Sequence, residues 1–428
     1  MYKKLVAPVL VNWEVTPICN HNCLHCYNYW RDDGNLEKLT SDYINLNQII
    51  VNELVNNHVF KVIITGGEPL IVLDEIADSI RFLSENGVSV YLNSNLTLLT
   101  HEKAKLLKDC GIKSILVSLP SADPETCDKI TNKQGSLEKI KEGILIAKEY
   151  DFKIFTNMVV SQFNKGQISL TANFVHSLGL TNFSATRASD PSSNREFAKY
   201  LLNIEEFRLM QLELNEIQKK LNIKVNSLEA NPPCSYGEII PYQGYKFCSA
   251  GKSICTIGYD GNVRPCNRSV LSYGNIKEGL SNIWSKMGEW RDDSLIPEKC
   301  SICKLKNSCC GGCKSDALKT YGDMKKADPL CDPHYIEKVN FIPSEPIKLT
   351  DKDIFLVKQG ISIRMEDFGA IVETTNSFIP ISFELAKLLL NQPEIKLIDI
   401  MEKLSVNRDS AIETASFLLK MQFIVAEP

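Results

Sequence analysis

The sequence predicts an α/β protein: a partial (β/α)6 barrel like an incomplete TIM barrel, then a cysteine-rich segment, then a small α+β domain. Three observations carry that expectation. Apolar strand-like runs alternate six times with amphipathic helical runs between residues 9 and 221. Ten of the fifteen cysteines crowd into 222–345, where the alternation stops. Residues 350–428 contain no cysteine at all. Alternation of this kind argues for a parallel sheet covered by helices, and six units are too few for a closed eight-unit barrel. The expected domains are 1–221, 222–345 and 350–428, with 31–40 and 341–349 as linkers.

The elements follow from local pattern. Val9–Thr16 is the first strand, and Leu46, Ile49, Ile50 and Leu54 have the spacing of a helix face. Lys61–Thr65 is a short buried strand ending in Gly66-Gly67-Glu68-Pro69. Strands near 88–93, 114–119, 152–160 and 181–187 alternate with helices near 74–86, 101–110, 136–149 and 168–178, and a long amphipathic helix covers 204–221. Ile254–Ile257 reads as a hairpin strand. The last domain reads as strands near 354–358 and 370–374, helices near 382–391, 396–403 and 409–420, and a terminal strand at 423–425.

Composition narrows the class. The chain has 428 residues, is 44% hydrophobic and 23% charged, and carries a net charge of −4, which suits neither general nucleic-acid binding nor an anionic membrane surface. No apolar run approaches the ~18 residues of a membrane span. The apolar stretch near the N-terminus is broken by Asn12 and Glu14, so no signal peptide is expected. Fifteen cysteines in such a chain fit metal thiolates in a reducing cytoplasm better than disulfides.

Cys19, Cys23 and Cys26 are spaced C-x3-C-x2-C directly after the first strand. Three close thiolates on one loop can hold three irons of a [4Fe–4S] cube and leave the fourth open. Zinc, the alternative, wants four ligands, and His21 or His25 would have to supply the last. The cysteine loop and the Gly-Gly-Glu-Pro turn both end strands, where barrel chemistry collects. Together they resemble the radical S-adenosylmethionine (radical SAM) superfamily over roughly residues 9–220. The resemblance implies that Cys19, Cys23 and Cys26 ligate the cluster. SAM occupies the open iron, and its one-electron cleavage gives a hydrogen-abstracting 5′-deoxyadenosyl radical. It further implies SAM contacts from His25 (adenine), Gly66, Gly67, Glu68 and Pro69 (amino group), Ser94, Asn95 and Ser118 (ribose or carboxylate) and Arg187 (carboxylate). Leu96 stands where that family has a glycine. No catalytic acid or base is assigned.

The second cysteine field reads Cys248-x12-Gly261-x4-Cys266, then Cys300-x2-Cys303-x5-Cys309-x3-Cys313, then Cys331. It resembles the SPASM domain of radical SAM enzymes that modify peptides. The resemblance implies two auxiliary [4Fe–4S] clusters and so three clusters in all. Cys248, Cys266 and Cys313 would hold the first auxiliary cluster; Cys300, Cys303, Cys309 and Cys331 the second. Cys255 is the candidate fourth ligand of the first, Cys234 a weaker one, and a substrate thiolate the alternative. Cys310 is expected to point away from its ligating neighbour, and Cys110 to sit in the core.

Stretches of 350–428, notably Arg364–Val372 and Phe383–Leu390, resemble the winged-helix fold that recognises leader peptides of ribosomally made, modified peptides. That likeness implies that an exposed strand near 370–374 accepts an extended peptide by strand addition. Twelve acidic against eight basic residues in 350–428 disfavour phosphate binding. The expected function is a cytoplasmic radical SAM/SPASM maturase of a precursor peptide, served by an electron donor such as flavodoxin or ferredoxin. It would form a thioether, carbon–carbon or carbon–oxygen cross-link. The rivals are an anaerobic sulfatase-type protein maturase and a zinc-containing winged-helix binding protein.

Overall fold

A computed structural model describes residues 4–28, 42–191, 195–239, 241, 244–336, 349–350, 353–358, 361–373 and 378–426. The expected linker 31–40, and all but the last residue of 341–349, lie outside these. The chain divides into two compact units: Met1–Tyr2 with Leu10–Val339, and Lys3–Val9 with Asn340–Pro428.

The first unit is the partial barrel together with the cysteine-rich segment. Its elements are β1 (Leu10–Glu14), α1 (Tyr43–Asn56), β2 (Lys61–Thr65), α2 (Leu73–Glu85), β3 (Ser89–Ser94), α3 (His101–Asp109), β4 (Ser114–Ser118), α4 (Pro124–Thr131), α5 (Ser136–Glu149), β5 (Lys153–Val160), α6 (Ile168–Ser177), β6 (Asn182–Arg187), α7 (Ile204–Leu221) and β7 (Lys224–Asn226). Strands β1 to β7 are parallel and adjacent in sequence order. The helices form because apolar residues recur on one face. In α2, Leu73, Ile76, Ala77, Ile80 and Leu83 are buried, the spacing of a single stripe. Asn203 and Glu206 form a capping box that starts α7, and Asn222 ends it in the left-handed conformation. Helix α4 was not expected. Its start was nonetheless written in the sequence, since Asp123 caps Thr126 N and Pro124 takes the first turn.

The cysteine-rich segment continues the same sheet. β8 (Ile254–Ile257) lies parallel to β1, pairing Cys255 with Val11, and turns antiparallel into β9 (Val263–Arg264). The hairpin strand read from the sequence therefore closes over the barrel's first edge, which hydrophobic pattern does not reveal. Short helices α8 (Leu280–Ser285), α9 (Lys306–Cys309) and α10 (Lys314–Tyr321) follow. Arg264 reaches back to pair with Glu14 at the end of β1. Both side chains are almost wholly buried, and the guanidinium also donates to Ser269 O at 3.1 Å.

The second unit contains β10 (Ile354–Val357), β11 (Ile363–Glu366), β12 (Gly369–Glu373), β13 (Phe378–Ile381), α11 (Phe383–Asn391), β14 (Glu394–Lys396), α12 (Leu397–Leu404), α13 (Arg408–Lys420) and β15 (Ile424–Ala426). Two three-stranded antiparallel sheets, β14-β10-β15 and β11-β12-β13, share a core that includes Phe355, Val372, Leu385, Ile400 and Leu418. Arg364 on β11 donates to Ala7 O at 2.7 Å and Pro8 O at 3.0 Å, and Glu366 accepts from Val6 N at 2.8 Å. The segment Lys3–Val9 thus belongs to this unit. The strand expected near 370–374 is β12, which is hydrogen-bonded on both sides and cannot accept another strand; the sheet's edges are β11 and β13. Those two strands were missed because Arg364 and Glu366 interrupt the apolar run of β11 and Pro380 that of β13.

Removing one member of a buried ion pair leaves the other charge uncompensated, a cost of about 3–5 kcal/mol. Arg264→Met is therefore expected to lower the stability of the first unit by that order in denaturant melts. The double variant Glu14→Leu/Arg264→Met should recover most of the loss.

Candidate functional site

The cysteine loop is held on both sides by main-chain hydrogen bonds. Gly67 N donates to Thr16 O at 2.7 Å, and Glu68 N to Ile18 O at 2.8 Å. A Cβ on Gly67 would lie 1.9 Å from Ile18 O, and one on Gly66 would lie 2.7 Å from Thr16 O. Gly66 also has φ +130°, which disfavours any side chain. The two glycines therefore let the turn after β2 splice onto the lead-in to Cys19. On the far side of the loop, Asn22 N donates to Thr131 O at 3.0 Å and Leu24 N to Ile130 O at 2.9 Å, both at the end of α4. Cys19, Cys23 and Cys26 are each half-buried, as is His25 between the last two. Tyr27, whose hydroxyl burial pushes up to about 12, accepts from Asn267 Nδ2 at 2.9 Å.

Glu68 is buried and its carboxylate is already occupied. It accepts from Ser94 Oγ at 2.6 Å, Asn95 N at 2.8 Å and Leu70 N at 3.1 Å. Burial holds its carboxyl above the ordinary range despite these donors. Ser94 thus ties the end of β3 to the turn after β2. Asn95 Nδ2 donates to Asn20 Oδ1 at 2.9 Å inside the cysteine loop. Leu96 keeps the backbone of the glycine it replaces, with φ +57°. Left-handed backbone costs a bulky residue about 1–2 kcal/mol. Its wholly buried side chain packs where Gly143 leaves room, since a Cβ there would meet Leu96 O at 2.4 Å. Pro69 opens the 3-10 turn that Glu68 caps, and Ser118 is exposed at the end of β4.

Arg187 has other partners than the SAM carboxylate expected for it. At the end of β6 it is buried among Asp328 (2.7 Å), Asp316 (3.1 Å) and Glu229 (3.3 Å). Arg268 joins the cluster through Glu229 at 2.6 Å. Burial opposes the charge on Arg187, but Asp328, Glu229 and Asp316 hold its guanidinium protonated. Cys313 N donates to Asp328 Oδ2 at 3.0 Å, and Cys313 Sγ accepts from Asp316 N at 3.4 Å. One carboxylate cluster therefore fixes both the barrel's sixth strand and a thiol of the cysteine-rich segment. Nothing in residue spacing marks Glu229, Asp316 or Asp328 as neighbours.

The later cysteines fall into two groups. Cys300, Cys303, Cys309 and Cys331 line one cavity, and Cys234 joins them, its Sγ 3.4 Å from that of Cys331. Cys234 was considered for the other group; the turn at Pro233–Tyr236 brings it here instead. Cys248 and Cys310 line a second cavity together with Lys252, Gly312 and Lys314. Cys266 Sγ lies 3.6 Å from Ser315 Oγ, beside Cys313 at the start of α10. Cys255 lines neither cavity; it is wholly buried in β8. Among the described residues, no three His, Cys, Asp or Glu side chains are grouped as ligands of a single metal ion. A four-iron cube puts each thiolate on a different iron, so an all-thiol cavity fits it without such convergence.

Residues 13–175 match the Radical SAM superfamily, and residues 248–314 match the SPASM iron–sulfur cluster-binding domain. The chain is 29% identical over 342 residues to an AdoMet-dependent heme synthase of Methanosarcina barkeri, covering 76% of this chain and 96% of that protein. It is 25% identical over 338 residues to the mycofactocin maturase MftC of Mycobacterium tuberculosis, covering 76% of this chain and 83% of that one. Its fold is similar to the crystal structure of Streptococcus suis SuiB bound to precursor peptide SuiA. There the TM-score is 0.64 at 19% identity, over 77% of this chain and 76% of SuiB.

Gly67→Ala is expected to break the splice onto the cysteine loop. Anaerobically reconstituted protein should lose about four irons per chain, one cube's worth, while the later thiols keep theirs. Iron and sulfide analysis reads the difference.

Proposed function

We propose, from the premise that this chain is an enzyme of the radical SAM superfamily carrying a SPASM domain, that it modifies a ribosomally made precursor peptide. The observation that carries this reading is the second unit. It offers a three-stranded antiparallel sheet with two edges, β11 and β13, followed by helices, in a compact unit of its own. An extended leader segment would pair with an edge of that sheet through main-chain hydrogen bonds. The structural likeness to SuiB, which was crystallised with its precursor peptide, supports a peptide substrate.

Cys19, Cys23 and Cys26 would hold a [4Fe–4S] cluster, which would supply the electron for reductive cleavage of SAM. The chain's own residues do the rest. Gly66 and Gly67 bring the turn's main chain against the loop. Ser94 and Asn95 hold the Glu68 carboxylate and the loop in one frame. His25 and Ser118 would border SAM. The cysteines of the two cavities would hold two auxiliary clusters, and a flavodoxin or ferredoxin would deliver electrons. The expected product is an oxidative cross-link through sulfur, carbon or oxygen.

A second reading is favoured by the 29% identity that runs over 96% of a heme synthase: action on an iron porphyrin. That match leaves about a quarter of this chain outside it. The zinc-bearing binding protein weighed from the sequence gives way to the enzyme.

Replacing Cys19, Cys23 and Cys26 together with Ala is expected to abolish 5′-deoxyadenosine formation. Deleting 350–428 should weaken precursor binding at least tenfold, or about 1.4 kcal/mol, while uncoupled SAM cleavage continues. Calorimetry with a precursor peptide encoded beside this gene measures the first effect. Unchanged affinity would remove the leader-binding claim, and turnover of an iron porphyrin in place of the peptide would decide for the second reading.

A further inference from the structure

The thiol that completes the first auxiliary set is not fixed by residue spacing. Cys255 lies between Cys248 and Cys266 in sequence, but the fold takes it elsewhere. It faces Val11 of β1 across a parallel ladder, and its side chain is wholly inaccessible. Burial pushes its thiol up, and the nearby Arg291, stacked over Trp284, pulls the other way.

Cys310 is placed very differently. It shares a cavity with Cys248 and is flanked by Gly312 and Lys314, the two neighbours of Cys313. Its backbone has φ +52°, and Gly311 and Gly312 continue at +81° and +84°. Three successive left-handed residues turn the chain sharply between Cys309 and Cys313. A non-glycine residue in that region carries strain, which persists where surrounding structure demands it. The turn sends Cys309 to the cavity of Cys300, Cys303 and Cys331, while its immediate neighbour Cys310 enters the other. Lys252 Nζ donates to Cys310 Sγ at 3.2 Å, and Cys310 Sγ is 3.7 Å from Asn307 O. Lys252 is buried, so its ammonium offsets charge on thiolates in this cavity. Cys248 and Cys310 therefore share one space, bordered by Gly312 and Lys314 on either side of Cys313, while Cys266 Sγ lies 3.6 Å from Ser315 Oγ, two residues beyond Cys313.

We propose that Cys310, and not Cys255, is the fourth thiolate ligand of the first auxiliary cluster, alongside Cys248, Cys266 and Cys313. The assignment rests on the auxiliary-cluster reading given above. Two consequences follow from it. All four irons of that cluster are held by protein, so none is left for a substrate thiolate. Adjacent residues, Cys309 and Cys310, ligate different clusters, which joins the two through a single peptide bond.

The test removes the first site and counts what remains. In a full-length Cys19→Ala/Cys23→Ala/Cys26→Ala background, anaerobically reconstituted protein should hold about eight irons, four for each auxiliary cluster. A background without iron would overturn the cluster reading and this assignment with it. Adding Cys310→Ala should cost about four irons, or convert one cube to a three-iron cluster visible by electron paramagnetic resonance. Adding Cys255→Ala should leave iron content and spectrum unchanged. If Cys310→Ala does not yield folded protein, Cys310→Ser decides: an altered spectrum of the reduced clusters supports the assignment, and an unaltered one overturns it. The assignment also fails if Cys310→Ala keeps about eight irons and an unchanged spectrum, or if Cys255→Ala is the variant that loses a cluster.

Discussion

The site depends on two missing side chains. Gly66 and Gly67 allow the turn after β2 to lie in hydrogen-bond contact with Thr16 and Ile18, at a separation no Cβ would tolerate. From that contact the rest is transmitted. Glu68 is drawn inward, Ser94 and the Asn95 amide close on its carboxylate, and the Asn95 side chain reaches Asn20 in the cysteine loop. The ends of three neighbouring strands, β1, β2 and β3, are locked together in this way. The end of α4 pins the other side of the loop, so three half-buried thiols sit on backbone fixed from both directions.

A second constraint makes the barrel and the cysteine-rich segment one body. Arg187 and Arg268 are buried with Glu229, Asp316 and Asp328, and Glu14 is buried with Arg264. Buried charges are costly unless each finds a partner, and replacing such groups with apolar ones is often neutral or stabilising. What these pairs supply is register. They connect the ends of β6 and β1 to segments more than a hundred residues away, and Cys313 donates its amide to the Asp328 carboxylate while its thiol accepts from the Asp316 amide. The thiols of the later segment are thereby placed relative to the barrel's strand ends.

Much of the first unit was legible because each strand and helix announces itself locally. The boundaries of β2, α5 and α7 fall where apolar periodicity puts them. Helix α4 was missed although its Asp-Pro start was present. The sideways addition of β8 to β1 was not legible, because a parallel partner leaves no trace in the pattern of a four-residue strand. Ser94 was expected against a ligand, and its hydroxyl instead holds Glu68. The pairing expected for Arg187 was a reasonable reading of a guanidinium at a strand end. It overlooked three carboxylates that only the folded chain brings to it. In the second unit, the apolar core was visible as pattern, but which strand lies at an edge depends on pairing.

The sequence by itself determined the chemistry on offer: three thiols on one loop, a glycine pair at a strand end, and a later field of thiols with characteristic spacing. Those features are local, and local spacing survives any arrangement of the rest. The tertiary structure decided allegiance. It put Cys234 beside Cys331, turned Cys309 and Cys310 into different cavities, and withdrew Cys255 into the sheet. The physical reason is that a thiol's neighbours are set by three left-handed residues, a parallel ladder and a 3-10 turn, none of which is encoded in the distance between cysteines along the chain.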